Sequence, residues 1–387
     1  MELNKSILEL FNRCKSPHLY HRYITNFHIE PLLKNLSESF EVNQIGSSVN
    51  GLPIYGVKVG TGQKKVLMWS QMHGNESTTT KALFDMFNSM DSQLLNEVVD
   101  NCTLYIIPIL NPDGAKAYTR VNANNIDLNR DAQSLTQPES LVLKDVYDTF
   151  KPDFCFNLHG QRTIFSAGNN NKVATLSFLA PAQDSECTIT ETRKKAMEVI
   201  SVINASLQKE IPNQIGVYDD AYNINCVGDT LQTLNIPTIL FEAGHYKEDY
   251  EREEVRRLIY MSLLVSLKYI ASNDVSGSKY ESYLSIPENK KLFYDVIIRN
   301  ASVLKGEETV KTDVAVQYLE MLDNEKVVFL PKIEKISDLT GFYAHKELDA
   351  NNNAVLDVSG VQLKIDSEND FVLINNELFS LKVDKKR

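Results

Sequence analysis

Along the first two-thirds of the chain, strand-like runs alternate with segments of helical periodicity. Residues 53–59 and 65–69 read as strands flanking Gly60-Thr61-Gly62, which has the chemistry of a hairpin turn. The run Cys-Thr-Leu-Tyr-Ile-Ile-Pro-Ile-Leu at 102–110 is apolar without alternation, as expected of a strand buried on both faces. Residues 153–157 and 237–241 have the same character. Between these runs, residues 77–90 place Leu83, Phe84, Met86 and Phe87 on the apolar side of a helix, and 140–150, 191–208 and 250–271 also read as helices. The opening segment interrupts its apolar residues with acidic ones, so it reads as a short amphipathic helix, not a secretory leader. The pattern predicts an α/β fold with a mixed, mainly parallel sheet covered by helices.

The texture changes near residue 272. Residues 273–279 have linker composition, and a short helix is expected at 289–293. Alternating runs at 313–318, 327–330, 361–365 and 371–374 then predict a small β-rich C-terminal domain, and 349–353 reads as a turn. The expected division is 1–272 and 273–387, with a second boundary possible near 300.

Composition narrows the functional classes. At 387 residues, 43% hydrophobic and 24% charged, the chain matches a soluble globular protein of one large or two ordinary domains. A net charge of −11 weighs against general affinity for nucleic acid or anionic membranes. No apolar run is long enough to predict a membrane span, and with no visible leader a cytoplasmic location is expected. The five cysteines are widely spaced without a CxxC pair, which fits reduced thiols.

The candidate chemistry sits where strands end. His73 follows the strand at 65–69, and Glu76 precedes the helix that Ser77 could cap. His159 closes the run beginning at Asp153, and Glu242 closes the one at 238–242. The carboxyl edge of an open α/β sheet is where binding crevices form, and a polar group there escapes full burial. Two histidines and a glutamate make a recurring catalytic zinc set, with water in the fourth position made acidic by the metal. Gly74 would let His73 and Glu76 share one ion. Glu242, on a separate strand, is then the natural general base. Taken singly, His73-Gly-Asn-Glu76 reads as a polar turn and His159 as a hydrogen-bonded strand end. The loop 111–131 opens on the turn-like Asn111-Pro-Asp-Gly114 and carries Arg120, Asn129 and Arg130. Such a set recognises a carboxylate, or one arginine faces an oxyanion, or the loop is simply solvated.

The ordered series His73-Gly-Asn-Glu76, Asn111-Pro-Asp-Gly114, Thr119-Arg-Val-Asn122, Asp127-Leu-Asn-Arg130, Asn157-Leu-His-Gly160 and Phe241-Glu-Ala-Gly244 resembles the zinc carboxypeptidases of the carboxypeptidase A type, the M14 peptidase family. The segment Ile45-Gly-Ser-Ser-Val-Asn-Gly51 is similar to that family's lead-in strand, and the resemblance spans roughly residues 20–270. It implies an eight-stranded mixed sheet sandwiched by helices and one zinc ion per chain, held by His73, Glu76 and His159. It implies Glu242 as base and proton shuttle, Arg120 polarising the scissile carbonyl, Asn129 and Arg130 holding the terminal carboxylate, and Asp127 orienting His73. The family's substrate-closing tyrosine corresponds to Tyr218 or Tyr222. Its specificity pocket falls within 226–232 after a gap, where Asp229 either favours a cationic side chain or caps a helix. The short interval from Glu76 to His159 implies reduced rim loops and a more open cleft. The implied activity is hydrolysis of a C-terminal peptide bond by a zinc-bound water that Glu242 activates. Two alternatives share the fold. One is a zinc amidase or deacylase acting on a γ-glutamyl peptidoglycan peptide or an N-acyl amino acid; the other is a non-catalytic binding module. The expected partner is a peptide or small amide with a free carboxylate, not nucleic acid or membrane.

Overall fold

The computed structural model describes residues 2–305 and 308–383. The chain begins with α1 (Glu2–Cys14), α2 (Asn26–Lys34), β1 (Phe40–Ser47), β2 (Pro53–Val59), β3 (Lys64–Ser70) and α3 (Thr78–Phe87). Next come α4 (Asn96–Asn101), β4 (Cys102–Ile107), α5 (Pro112–Ala117), α6 (Pro138–Phe150), β5 (Phe154–Gly160), β6 (Phe165–Ala167) and β7 (Leu176–Leu179). They are followed by α7 (Glu191–Leu207), β8 (Ile215–Val217), α8 (Val227–Thr233), β9 (Thr238–Ala243) and α9 (Glu253–Ser272).

Eight strands form one sheet in the order β1-β2-β4-β3-β5-β9-β7-β8. β3 runs parallel to both β4 and β5, β5 to β9, and β7 to β8; the other pairings are antiparallel. Alternate residues of β3 serve opposite cores. Val66 and Met68 pack with α1, α2, α3, α7 and α9, whereas Leu67 and Trp69 pack with α6 and α8. Two covered faces explain why these strands read as continuous apolar runs. α9 is buried over most of its surface, as its nearly all-round apolar sequence requires. No helix among the described residues is long and apolar enough to cross a membrane. The five cysteines are free thiols.

The expected hairpin at 60–62 does not form. β4 inserts between β2 and β3, and the turn bonds to the newcomer's approach: Thr61 N donates to Val99 O and Gly62 N to Cys102 O. A parallel β3–β4 pair needs a crossover, which α3 and α4 supply.

After a 3-10 turn at Tyr280–Ser285 come β10 (Asn289–Lys291), β11 (Phe293–Lys305), β12 (Glu308–Asp323), β13 (Lys326–Ser337), β14 (Tyr343–Asp349), β15 (Val355–Leu356), β16 (Phe371–Ile374) and β17 (Glu377–Ser380). They build a four-stranded sheet, β13-β12-β11-β14, and a three-stranded one, β15-β16-β17, around Val296, Ile298, Val316, Ile333 and Val372. The helix expected at 289–293 is instead β10 running into β11, because β10 is drawn into antiparallel pairing with β6. Residues 361–365 form only an isolated bridge, Leu356 with Gln362, since Val361 and Ile365 have no apolar face to cover and stay exposed.

A buried histidine, His245, and a half-buried one, His345, join this β-rich region to the larger sheet. His245 follows β9, and its ring lies tilted against those of His345 of β14, 4.2 Å between centroids, and Tyr250, 4.7 Å. His345 Nε2 lies 2.8 Å from Thr163 O, whereas neither ring nitrogen of His245 has a hydrogen-bond partner. Burial first, and then the positive charge of Arg252, hold His345 down to about 4. Burial, His345, Arg252 and Arg22 hold His245 well below its ordinary 6.5. The unfolded chain gains these protons below its ordinary value, and the folded chain does not, so stability falls as pH drops from 6.5 towards 4. The His345 shift alone corresponds to about 3 kcal/mol at most. His245→Phe is expected to keep neutral-pH stability within about 1 kcal/mol and to make that acid slope shallower. Denaturant unfolding across the pH range checks it, and an unchanged slope refutes it.

Candidate metal centre

β3 sends one crossover to β4 on one side, and β5 lies on its other side. That reversal creates a crevice at the carboxyl ends of β3 and β5. His73 lies just beyond the end of β3, and His159 is the second-last residue of β5. Glu242, on β9, is the ladder neighbour of His159, so both side chains leave the same face of the sheet.

The chain reaches His73 through a strained step. Gln71 has a left-handed backbone, φ +44°, uncommon for a residue with a side chain. Its buried amide fixes the bend, with Nε2 donating to Ile24 O at 3.0 Å and Gly74 O at 2.8 Å. Gly74 is required by close packing and has no left-handed φ. A Cβ there would lie 1.9 Å from the carbonyl carbon of Gly114 and 2.1 Å from Ala115 N. The loop carrying the histidine rests directly on the start of α5. Asn111 is the N-cap of that helix: Oδ1 accepts from Gly114 N at 2.8 Å and Nδ2 donates to Met72 O at 3.2 Å. The Asn111–Gly114 motif thus starts a helix instead of forming a free turn.

His73 Nδ1 lies 2.9 Å from Glu76 Oε1 and 3.0 Å from His159 Nδ1, which is itself 2.9 Å from Glu76 Oε2. The three ligand atoms all fall within 4.8 Å of one another. A proton can bridge only two of these lone pairs at once, whereas a divalent cation engages all three, so the donor set fits zinc. Among the described residues this is the one such group of three. Asp127 Oδ1 holds His73 Nε2 at 3.0 Å, which leaves Nδ1 facing the cluster. Asp127 also accepts from Asn129 N at 2.9 Å and Arg120 Nε at 3.1 Å.

The charges reinforce one another. Burial alone would lower His73, but Glu76 and Asp127 outweigh it and raise the ring to about 9. Burial would raise Glu76, yet the two imidazoles keep its carboxyl far below the usual range. His159 is lowered by burial. Glu242 is raised well above the usual carboxyl range, first by burial and then by Glu76, and its Oε2 is shut away without a partner.

These groups line a cleft of about 840 Å³ together with Arg120, Asn129, Arg130 and Tyr218. Arg120 is half-exposed, and its Nη1 reaches to 3.5 Å from Glu76 Oε1. Asn129 Oδ1 accepts from Val227 N at 3.1 Å, which leaves its amide nitrogen as the donor it can offer a ligand. Arg130 Nη1 donates to Asn129 O at 2.8 Å. Asn122 is buried and organises the loop, accepting from Asn124 N and Ile126 N and donating to Gln137 and Glu139. Tyr218 packs in the cleft wall, its hydroxyl 2.7 Å from Gln161 Oε1 and its ring edge-on to Phe165. Tyr222 is half-buried on the following loop, outside the lining. Asp229 also lines the cleft but is not a helix cap. It sits in the first turn of α8, where Cys226 is the N-cap, and it accepts from Asn223 N. Burial raises it to about 6.

Sequence reasoning missed Arg22, Thr163, Arg252 and the β12 residues Gln317, Tyr318, Leu319 and Glu320, all of which line the same cleft. The cleft is therefore walled on one side by the β-rich region. Arg252 ties the two site strands together: Nη1 donates to Ala243 O at 2.8 Å and Nη2 to Gln161 O at 3.0 Å.

The fold is shared with metallocarboxypeptidases. A carboxypeptidase A from Helicoverpa armigera superposes with a TM-score of 0.53 at 14% identity, covering 73% of this chain and 80% of that one. A putative carboxypeptidase A from Shewanella denitrificans gives 0.52 at 17% identity, covering 63% and 68%. The family model described as zinc carboxypeptidase, peptidase M14, matches residues 28–175. Carboxypeptidase SOL1 of Arabidopsis thaliana is 32% identical over 124 residues, 28% of this chain and 25% of that protein. Carboxypeptidase 2 of Trichophyton rubrum is 24% identical over 100 residues, 25% and 19% of the two chains. The matched stretch thus spans about a quarter or less of these relatives' length.

Proposed function

We propose that this protein is a zinc-dependent carboxypeptidase that removes the C-terminal residue of a peptide. The observation that carries the reading is the convergence of His73, Glu76 and His159 beside Glu242, in one cleft with Arg120, Asn129 and Arg130. His73, Glu76 and His159 would hold the ion, with Asp127 fixing the ring of His73. A zinc ion bound there acidifies water and polarises the amide carbonyl.

Arg130 and the amide nitrogen of Asn129 bind the substrate's terminal carboxylate, which sets the scissile bond one residue in. Arg120 faces the carbonyl oxygen as negative charge develops on it. Glu242 accepts a proton from the attacking water and delivers it to the departing nitrogen as the C–N bond breaks. Its raised affinity for protons, from burial and Glu76, suits it to carry that proton between the two steps. Tyr218 forms part of the wall, and Tyr222 lies on the loop that follows it.

Metal analysis of the purified chain by mass spectrometry is expected to give stoichiometric zinc. A peptide-library digest is expected to show loss of single C-terminal residues, abolished by a chelator and restored by zinc. Cleavage confined to N-acyl amino acids or muropeptides would move the assignment to an amidase or deacylase. Tight zinc with no hydrolysis of any amide would make it a binding module.

A further inference from the structure

The β-rich C-terminal region supplies four consecutive residues, Gln317, Tyr318, Leu319 and Glu320 of β12, to the cleft that holds His73, Glu76, His159 and Glu242. Their mounting is rigid. Gln317 Nε2 donates to Thr163 Oγ1 at 2.9 Å, and Tyr318 N donates to the buried carboxylate of Asp295 at 2.8 Å. Glu320 is braced on both oxygens, by Arg22 Nη1 at 2.7 Å and by the Tyr118 hydroxyl at 3.0 Å. Around them, Phe293 N bonds Ile164 O, His345 bonds Thr163 O, and β10 pairs with β6. The loop that leaves His159 is therefore clamped to the β-rich region by both backbone and side chains. A segment with so many buried polar contacts is a wall and not a lid.

The position of this wall matters for the substrate. Asn129 and Arg130 stand beside α8, where Asn129 meets Val227. β12 stands beside Arg22, Tyr118 and Thr163. If the terminal carboxylate docks at the α8 side, residues on the amino side of the scissile bond run towards β12. There Leu319 is 43% exposed, an apolar side chain that lines the cleft. The charges of Arg22 and Glu320 already neutralise each other, so Leu319 is the group left to meet a substrate side chain or to block a longer chain.

We propose that β12 is a specificity element: it closes the amino side of the cleft and limits the substrate to short peptides, with Leu319 as the limiting contact. This rests on the carboxypeptidase reading and adds a length limit to it. The cleft measures about 840 Å³, within the range that takes a small ligand, and β12 forms part of its lining.

The test is kcat/KM across N-blocked peptides of two to eight residues that share one C-terminal dipeptide. The expected result is a fall of about tenfold or more between the tripeptide and the hexapeptide, the size of effect that one misfitted group produces. The hexapeptide-to-dipeptide ratio is expected to rise about threefold or more in Leu319→Ala and to fall in Leu319→Trp. Both variants alter an exposed side chain, and matching circular dichroism and melting curves will show that the fold is retained. Rates independent of length, or equal ratios in both variants, overturn the proposal and leave the carboxypeptidase reading standing. Hydrolysis of N-acyl amino acids with no peptide cleaved at any length overturns both.

Discussion

Glu242→Gln is expected to keep its full complement of zinc while turnover falls by about 10²–10⁴-fold or more. The two halves of this result separate the roles of the four polar groups at the strand ends. The ligand atoms that converge within 4.8 Å come from His73, Glu76 and His159. Glu242 stands one ladder position across from His159, and its Oε2 has no protein partner. Glutamine has the same shape and is neutral, so it meets no new desolvation cost in that buried place. It cannot take a proton from water, so the chemistry stops while the ion's cradle stays intact. Metal content by mass spectrometry and turnover on a C-terminal reporter peptide measure the two effects. Parallel loss of zinc would make Glu242 a ligand, and near-normal turnover would remove it from the reaction. His159→Ala provides the contrast, since there zinc itself is expected to be lost.

Much of this arrangement can be read in the sequence because the relevant signals are local. A strand buried on both faces must be apolar throughout, so β4, β5 and β9 declare themselves, and a polar residue closing such a run marks the sheet edge. What sequence does not show is which distant segments share a space. The turn at 60–62 has hairpin chemistry, yet β4, forty residues on, takes the place beside β3. Residues 289–293 become strand only because β6 offers an edge. The histidine loop needs Gly74 because α5 lies against it, a contact that residues 73–76 alone cannot reveal. The β12 wall is the largest omission for the same reason: nothing near Leu319 in sequence signals that His73 is across the cleft. Asp229 shows the opposite failure, since a plausible local role, the helix cap, is filled by Cys226 instead.

Asp85→Ala is expected to destabilise the chain by about 3–5 kcal/mol, a large part of the ~5–15 kcal/mol that typically holds a domain folded. Asp85 on α3 and Arg256 on α9 are both completely buried and meet as a two-pronged pair, Nε to Oδ2 and Nη2 to Oδ1, each at 2.6 Å. The remaining guanidinium donors go to Leu19 O, Ser16 O and Glu253, and Asp85 also accepts from Ser16 N at 2.7 Å. All five donors are thereby satisfied, which is the condition under which a buried ion pair offsets its desolvation. Removing the carboxylate leaves the buried guanidinium with only Glu253, which Lys15 and Lys81 also share, and frees the Ser16 amide, so the segment after α1 loses its anchor. Replacing both partners, as in Asp85→Leu with Arg256→Met, removes the stranded charge and is expected to recover part of the loss. It will not recover all of it, because the carbonyls of Ser16 and Leu19 then have no donor. Denaturant unfolding of the single and double variants measures both terms. A single-variant loss below about 1 kcal/mol would mean that the pair behaves like a surface bridge and that the packing of α3 against α9, not the charge, fixes the N-terminal segment.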